Sequence, residues 1–147
     1  MRLTFVNGSG KFDRMVIHRD GAIESLDCPK QGIIPHDMVH YAVEAVLHKR
    51  GFLSRVRDGE AAGFRMNAEA ESDGVERLVE VLQGDAWSGG GSAPEDMLAL
   101  YEVTCRAREC APLPVKSEDI LAIRGRICEL DAQWRALPVG AALDLEF

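Results

Sequence analysis

The order of apolar and polar positions divides this chain into a block of strands, a block of helices and a closing strand. Leu3-Thr4-Phe5-Val6 ends at Asn7-Gly8-Ser9-Gly10. Arg14-Met15-Val16-Ile17-His18-Arg19 runs into Asp20-Gly21, a dipeptide suited to the positive φ values of a tight hairpin, and Ala22-Ile23-Glu24-Ser25-Leu26 returns. These segments read as a small antiparallel meander. Three short strands are not stable alone, so an apolar face of the sheet must pack against helices.

Beyond Pro35 the apolar spacing changes to three and four, the period of a helix. The first helix is expected from Pro35 to about Lys49 or Arg50, with Gly51 as its stop. A short second one, Phe52 to Ala62, carries Phe52 and Val56 on one side and is weakened by Gly59 and Gly63. A polar connection from Arg65 to Ser72 follows. Asp73-Gly74-Val75-Glu76 has capping-box spacing and opens the stripe Val75, Leu78, Val79 and Leu82, which Gly84 should end. Ser88-Gly89-Gly90-Gly91-Ser92 reads as a mobile loop. Ser92-Ala93-Pro94-Glu95 then starts a helix bearing Met97, Leu100, Tyr101, Thr104 and Cys105. After Pro112 and Pro114, Ser117 caps a final helix with the stripe Ile120, Ile123, Ile127, Leu130 and Trp134, ending at Pro138 and Gly140. The tail Ala141-Ala142-Leu143-Asp144-Leu145-Glu146-Phe147 alternates apolar and acidic residues, as a strand with one wet face does, and should join the meander. The expectation is one α+β domain over residues 1–147: a small antiparallel sheet of three N-terminal strands plus the C-terminal strand, packed on four to five helices.

Composition narrows the class of protein. Hydrophobic residues make up 46% and charged residues 28% of the 147, a globular balance, and no apolar run approaches the roughly 18 residues of a membrane span. Met1 to Asn7 is too short and too soon polar for a signal peptide, so a cytoplasmic location is expected. The net charge of −7 disfavours nucleic acid and anionic membrane surfaces as partners. A local basic cluster at Arg50, Arg55 and Arg57 is interrupted by Asp58 and Glu60. Of the four cysteines, Cys105, Cys110 and Cys128 fall in segments read as helices and are expected as buried thiols; no C-x-x-C spacing occurs.

Candidate chemistry concentrates in the first helix, which reads H-D-x-x-H-x-x-x-E from His36 to Glu44. Residues four apart lie nearly above one another on a helix, so His36 and His40 can present two imidazoles to one ion, with Glu44 a turn further on. Zinc or another divalent metal is the cofactor such a set would take. Asp37 is the candidate base or second acceptor, since the spacing resembles the H-E-x-x-H helix of zinc metallopeptidases. Asp37 is one methylene shorter than the glutamate of that helix, and no second motif marks a distant third ligand. On a helical wheel His40, Glu44, Asp37 and His48 form a polar stripe beside the apolar arc, with His36 at the arc's edge. Cys28, just before this helix, is the candidate for a Cys–His dyad with His36 or for a third ligand. Trp87, beside the glycine loop, is the candidate ligand-facing aromatic, and Trp134 a core or pocket wall.

The string Pro35-His36-Asp37-x-x-His40-Tyr41-x-Val43-Glu44, with Gly51-Phe52, Val56 and Gly59 after it, resembles a group of small uncharacterised bacterial proteins over the first third to half of the chain. That resemblance implies a bacterial cytoplasmic origin and no particular activity. Two functions compete. The sequence favours a non-catalytic interaction or structural module, with a homo-oligomer or protein partner, in which the histidine helix only packs. The alternative is a divalent-metal-binding protein, with hydrolysis as its reaction class, whose site lies on the histidine helix.

Overall fold

A computed structural model describes residues 1–63 and 66–147. The elements run β1 (Arg2–Val6), β2 (Phe12–Arg19), β3 (Ala22–Pro29), α1 (His36–Leu47), α2 (Phe52–Arg57), α3 (Ala70–Trp87), α4 (Pro94–Ala107), α5 (Ser117–Arg135) and β4 (Ala142–Glu146). This is the α+β arrangement the sequence implies. The sheet is antiparallel throughout, in the order β3-β2-β1-β4, so β4 returns to the far side of β1.

Asp20 and Gly21 have φ of 49° and 79°, and positive φ at both central positions is what a two-residue hairpin matching the strand twist requires. It sets the register His18↔Ile23, Arg19↔Ala22 and places Met15 and Ile17 on the same face as Leu3 and Phe5 of β1. Leu3↔Leu145 and Phe5↔Leu143 extend that face onto β4. Leu3, Phe5, Met15 and Ile17 are buried in one apolar cluster with Met38, Val39, Ala42 and Val43 of α1. α1 packs in turn on α2, α3 and α5, which makes it the hub of the helical layer. The predicted stripe of α5 is buried at every position, and so is that of α3. On α4, Met97, Tyr101 and Cys105 are buried, whereas Leu100 faces outward.

Several boundaries differ from expectation. α1 stops at Leu47, because His48 takes the left-handed conformation (φ 52°) that Gly51 was expected to supply. α2 ends at Arg57 rather than near Ala62. Part of the expected polar connection lies in α3, which begins at Ala70; the connection's first residue, Arg65, is outside the described residues. Asp73 therefore sits inside α3 and is not its cap. Gly84 is accommodated within that helix, which continues to Trp87. Ala93, not Ser92, occupies the N-cap of α4. Cys110 lies beyond α4 and is only half-buried, and Cys128 is exposed on α5, so of the three cysteines expected to be buried only Cys105 is.

Candidate metal centre

Pro35 stands at the N-cap of α1 with extended backbone, and His36 and His40 follow on one side of the helix. Their ring centroids are 4.9 Å apart with the planes at 78°. α3 supplies the group between them. Glu76 Oε1 is 3.5 Å from His36 Nε2, and its Oε2 is 2.9 Å from His40 Nε2. One ligand atom from each of His36, His40 and Glu76 lies within 4.8 Å of the other two. Ligands bound to zinc at 2.0–2.2 Å in a tetrahedron are separated by about 3.4 Å, so the widest pair would have to draw in by up to about 1.4 Å to hold an ion.

The other nitrogen of each imidazole is also held. His36 Nδ1 lies 2.8 Å from Gln83 Oε1, and His40 Nδ1 lies 3.1 Å from Glu44 Oε2. An amide oxygen and a carboxylate only accept, so each Nδ1 carries a proton. In the neutral tautomer this selects, both Nε2 lone pairs face Glu76. Gln83 is seven residues after Glu76, two turns along the same side of α3.

Charge follows from these contacts. Burial opposes protonation of His40, but the hydrogen bonds and charges of Glu44 and Glu76 outweigh it and lift the imidazole to about 9. His36 is moved the same way: burial opposes its charge and the bond to Glu76 prevails. Burial would raise Glu76, whereas the bonds from the two histidines hold it well below the usual carboxylate range. Without an ion, a proton on His40 Nε2 occupies the direction a metal would take.

Glu44 has a different place from the one its spacing implies. Its Oε1 accepts from Gly51 N (3.1 Å), Ser54 N (2.8 Å) and Ser54 Oγ (2.8 Å), and its Oε2 accepts from Leu53 N (3.1 Å) as well as His40 Nδ1. The buried carboxylate thus caps α2 from outside, where Gly51 has no side chain to do so, and also fixes the His40 ring. Both oxygens are saturated, which leaves Glu44 as the orienting group and Glu76 as the carboxylate facing the histidines.

Asp37 points to the other side of His36. Its Oδ2 accepts from the Cys28 thiol at 3.4 Å, and both residues line a cleft of about 290 Å³ with His36, Pro29 and Gln31. Burial, with Asp37 adding to it, pushes the Cys28 thiol well above its ordinary value. Cys28 is therefore a protonated donor to Asp37, which argues against the dyad with His36. Trp87 is half-exposed and its indole N–H donates to Gln31 O (2.8 Å), closing the segment before α1, while Trp134 is buried as expected. Arg50, Arg55 and Arg57 are each paired with carboxylates among Asp58, Glu60 and Glu69.

Glu76 and Gln83 are the site residues the sequence reading missed. The sequence pattern assigns Glu76 to a capping box that does not form, because α3 starts at Ala70. The available signal was a pair of polar side chains seven apart, flanking the apolar stripe of the helix.

A scan against family models and searches of curated proteins and of solved structures return no match. No helix among the described residues is long and apolar enough to cross a membrane.

Proposed function

We propose that this chain is a cytoplasmic divalent-metal-binding protein that takes zinc, or an ion of similar preference, on His36 Nε2, His40 Nε2 and Glu76. The observation that carries this reading is the pair of Nδ1 anchors. Gln83 and Glu44 hold the two rings so that both Nε2 atoms converge on one carboxylate, the outer-shell arrangement that metal-ligating histidines use. The side chains of His36 and Glu76 are 38% and 35% exposed, so a bound ion would meet solvent. Three protein ligands leave a coordination position for water, as in hydrolytic zinc sites, and hydrolysis is the reaction class that follows. The cleft beside His36 is lined by Cys28, Pro29, Gln31 and Asp37 but by neither His40 nor Glu76, so Asp37 does not stand among the groups facing the ion.

Elemental analysis of protein purified without a histidine tag tests the proposal. About one equivalent of zinc or another divalent ion is expected, lost in His40→Ala and Glu76→Gln. Glu44→Gln should weaken zinc binding by about 10–100-fold, the usual effect of removing an orienting partner. No stoichiometric metal, together with no thermal shift on adding zinc, nickel, manganese or iron, would overturn it.

One observation favours a second reading, the non-catalytic module. His40 hydrogen-bonds to Glu44 and Glu76 without any ion, so the cluster can act simply as a polar tie between α1 and α3. In that case His36→Ala and His40→Ala would change stability alone.

A further inference from the structure

We infer that Cys105 and Cys110 form a redox-active dithiol that a hydroperoxide closes to a disulfide, with Cys110 the thiol that reacts first. The placement comes from the way α4 ends. Glu109 takes the left-handed conformation (φ 54°), Cys110 N–H donates to Cys105 O (3.0 Å), and Glu109 N–H donates to Arg106 O (3.2 Å). These two bonds and the left-handed residue make a Schellman motif. Its geometry sets the side chains at the ends of the longer bond against each other, and such contacts are ordinarily apolar. Here both positions are cysteine. Among the described residues no other two thiols are tied together in this way: Cys28 is bonded to Asp37, and Cys128 is exposed on α5.

The surroundings give the two thiols different roles. Cys105 is fully buried. Burial pushes it up to about 11, and the neighbouring Cys110 thiol pushes the same way, so it stays protonated at neutral pH. Cys110 is half-buried and lines a cleft of about 250 Å³ with Asp73, Arg77, Arg108 and Glu109. The Nε of Arg77 is buried with no hydrogen-bond partner among the described residues. Arg77 pairs through its terminal nitrogen with Glu80 (3.0 Å), so what it offers the cleft is the unused Nε–H, a donor able to steady a departing oxygen.

The chemistry balances with the hydroperoxide as oxidant. The Cys110 thiolate attacks the terminal peroxide oxygen, the O–O bond breaks, and the alkoxide leaves as an alcohol after taking a proton. Cys110 is then a sulfenic acid. The Cys105 sulfur attacks the Cys110 sulfur, the S–O bond breaks, the disulfide forms, and the proton of Cys105 leaves with the oxygen as water. Two thiols are oxidised and one peroxide is reduced.

The full chain carrying Cys128→Ser, treated with equimolar hydrogen peroxide, alkylated and mapped by mass spectrometry, tests this. A Cys105–Cys110 cross-linked peptide is expected, lighter by two hydrogen atoms and restored by dithiothreitol. In Cys105→Ser the reaction should stop at a Cys110 sulfenic acid that dimedone traps. Full alkylation of both thiols after peroxide, or oxidation of Cys110 to sulfinic acid with Cys105 left free, would overturn the inference. The cross-link measurement keeps Cys105 in place and so does not depend on how the serine variant folds.

Discussion

At the scale of single residues, His40 sets how stability responds to pH in the metal-free protein. Its pKa is about 6.5 in an unfolded chain and about 9 in the folded one. Below about pH 6.5 the imidazole is charged in both states and its stabilising contribution is complete. Between that point and about pH 9 the unfolded chain gives up the proton while the folded chain keeps it, so stability falls as pH rises. Glu76 has the opposite sign. Its folded pKa is depressed, so its contribution is present above the ordinary glutamate value and is lost only well into acid. Urea unfolding in the presence of a chelator should therefore show stability dropping by on the order of 3 kcal/mol from about pH 6 to about pH 9. Adding zinc should reverse the trend, because the ion displaces the proton on Nε2 and binds better as protons become scarce. A flat metal-free profile would show that His40 is not held between the two carboxylates.

Among the elements, the junction of α1 and α2 depends on Gly51. Its φ of −115° is open to any residue, so conformational freedom is not the reason for glycine. A Cβ there would lie 2.6 Å from Glu44 Cδ and 2.6 Å from Val75 Cγ1, which would push the capping carboxylate off the α2 amides. Gly51→Ala should destabilise by about 1–3 kcal/mol, with Gly84→Ala as control. Gly84 lies in α3 with open space around it, and alanine there should stabilise by up to about 1 kcal/mol. The same junction shows what a sequence can and cannot reveal. Ile120 to Trp134 and Leu3 to Ile17 were legible, because periodicity records which face of an element is buried. Asp20-Gly21 was legible because few dipeptides accept two positive φ values. His36 and His40 were found because four-residue spacing has one geometric meaning. Glu76 was not, since its partner is 36 residues away and only the packing of α1 on α3 brings them together. Glu44 was found for its spacing but not for its main role: the pattern places the start of α2 at Phe52, yet nothing in it says that a carboxylate from α1 binds the amides there.

For the molecule as a whole, stability rests on the shared core between sheet and helices rather than on the candidate site. Phe5 is fully buried on β1, between Met15 and Leu143. Phe5→Ala should cost about 3–5 kcal/mol in chemical denaturation and leave the zinc stoichiometry of the remaining folded protein unchanged. A coupled loss of metal would mean that the helical layer does not hold its shape without the sheet. The strand order β3-β2-β1-β4 also shapes how the chain reaches this state. β1 finds β2 almost at once through a local turn, but its other neighbour is contributed by residues such as Asp144, opposite Thr4. Through most of synthesis one edge of β1 presents bare amides and carbonyls beside Leu3 and Phe5, a template for pairing with another nascent chain. Closing the sheet is a long-range step, slow compared with helix formation, so aggregation during expression should be governed by how quickly β4 arrives.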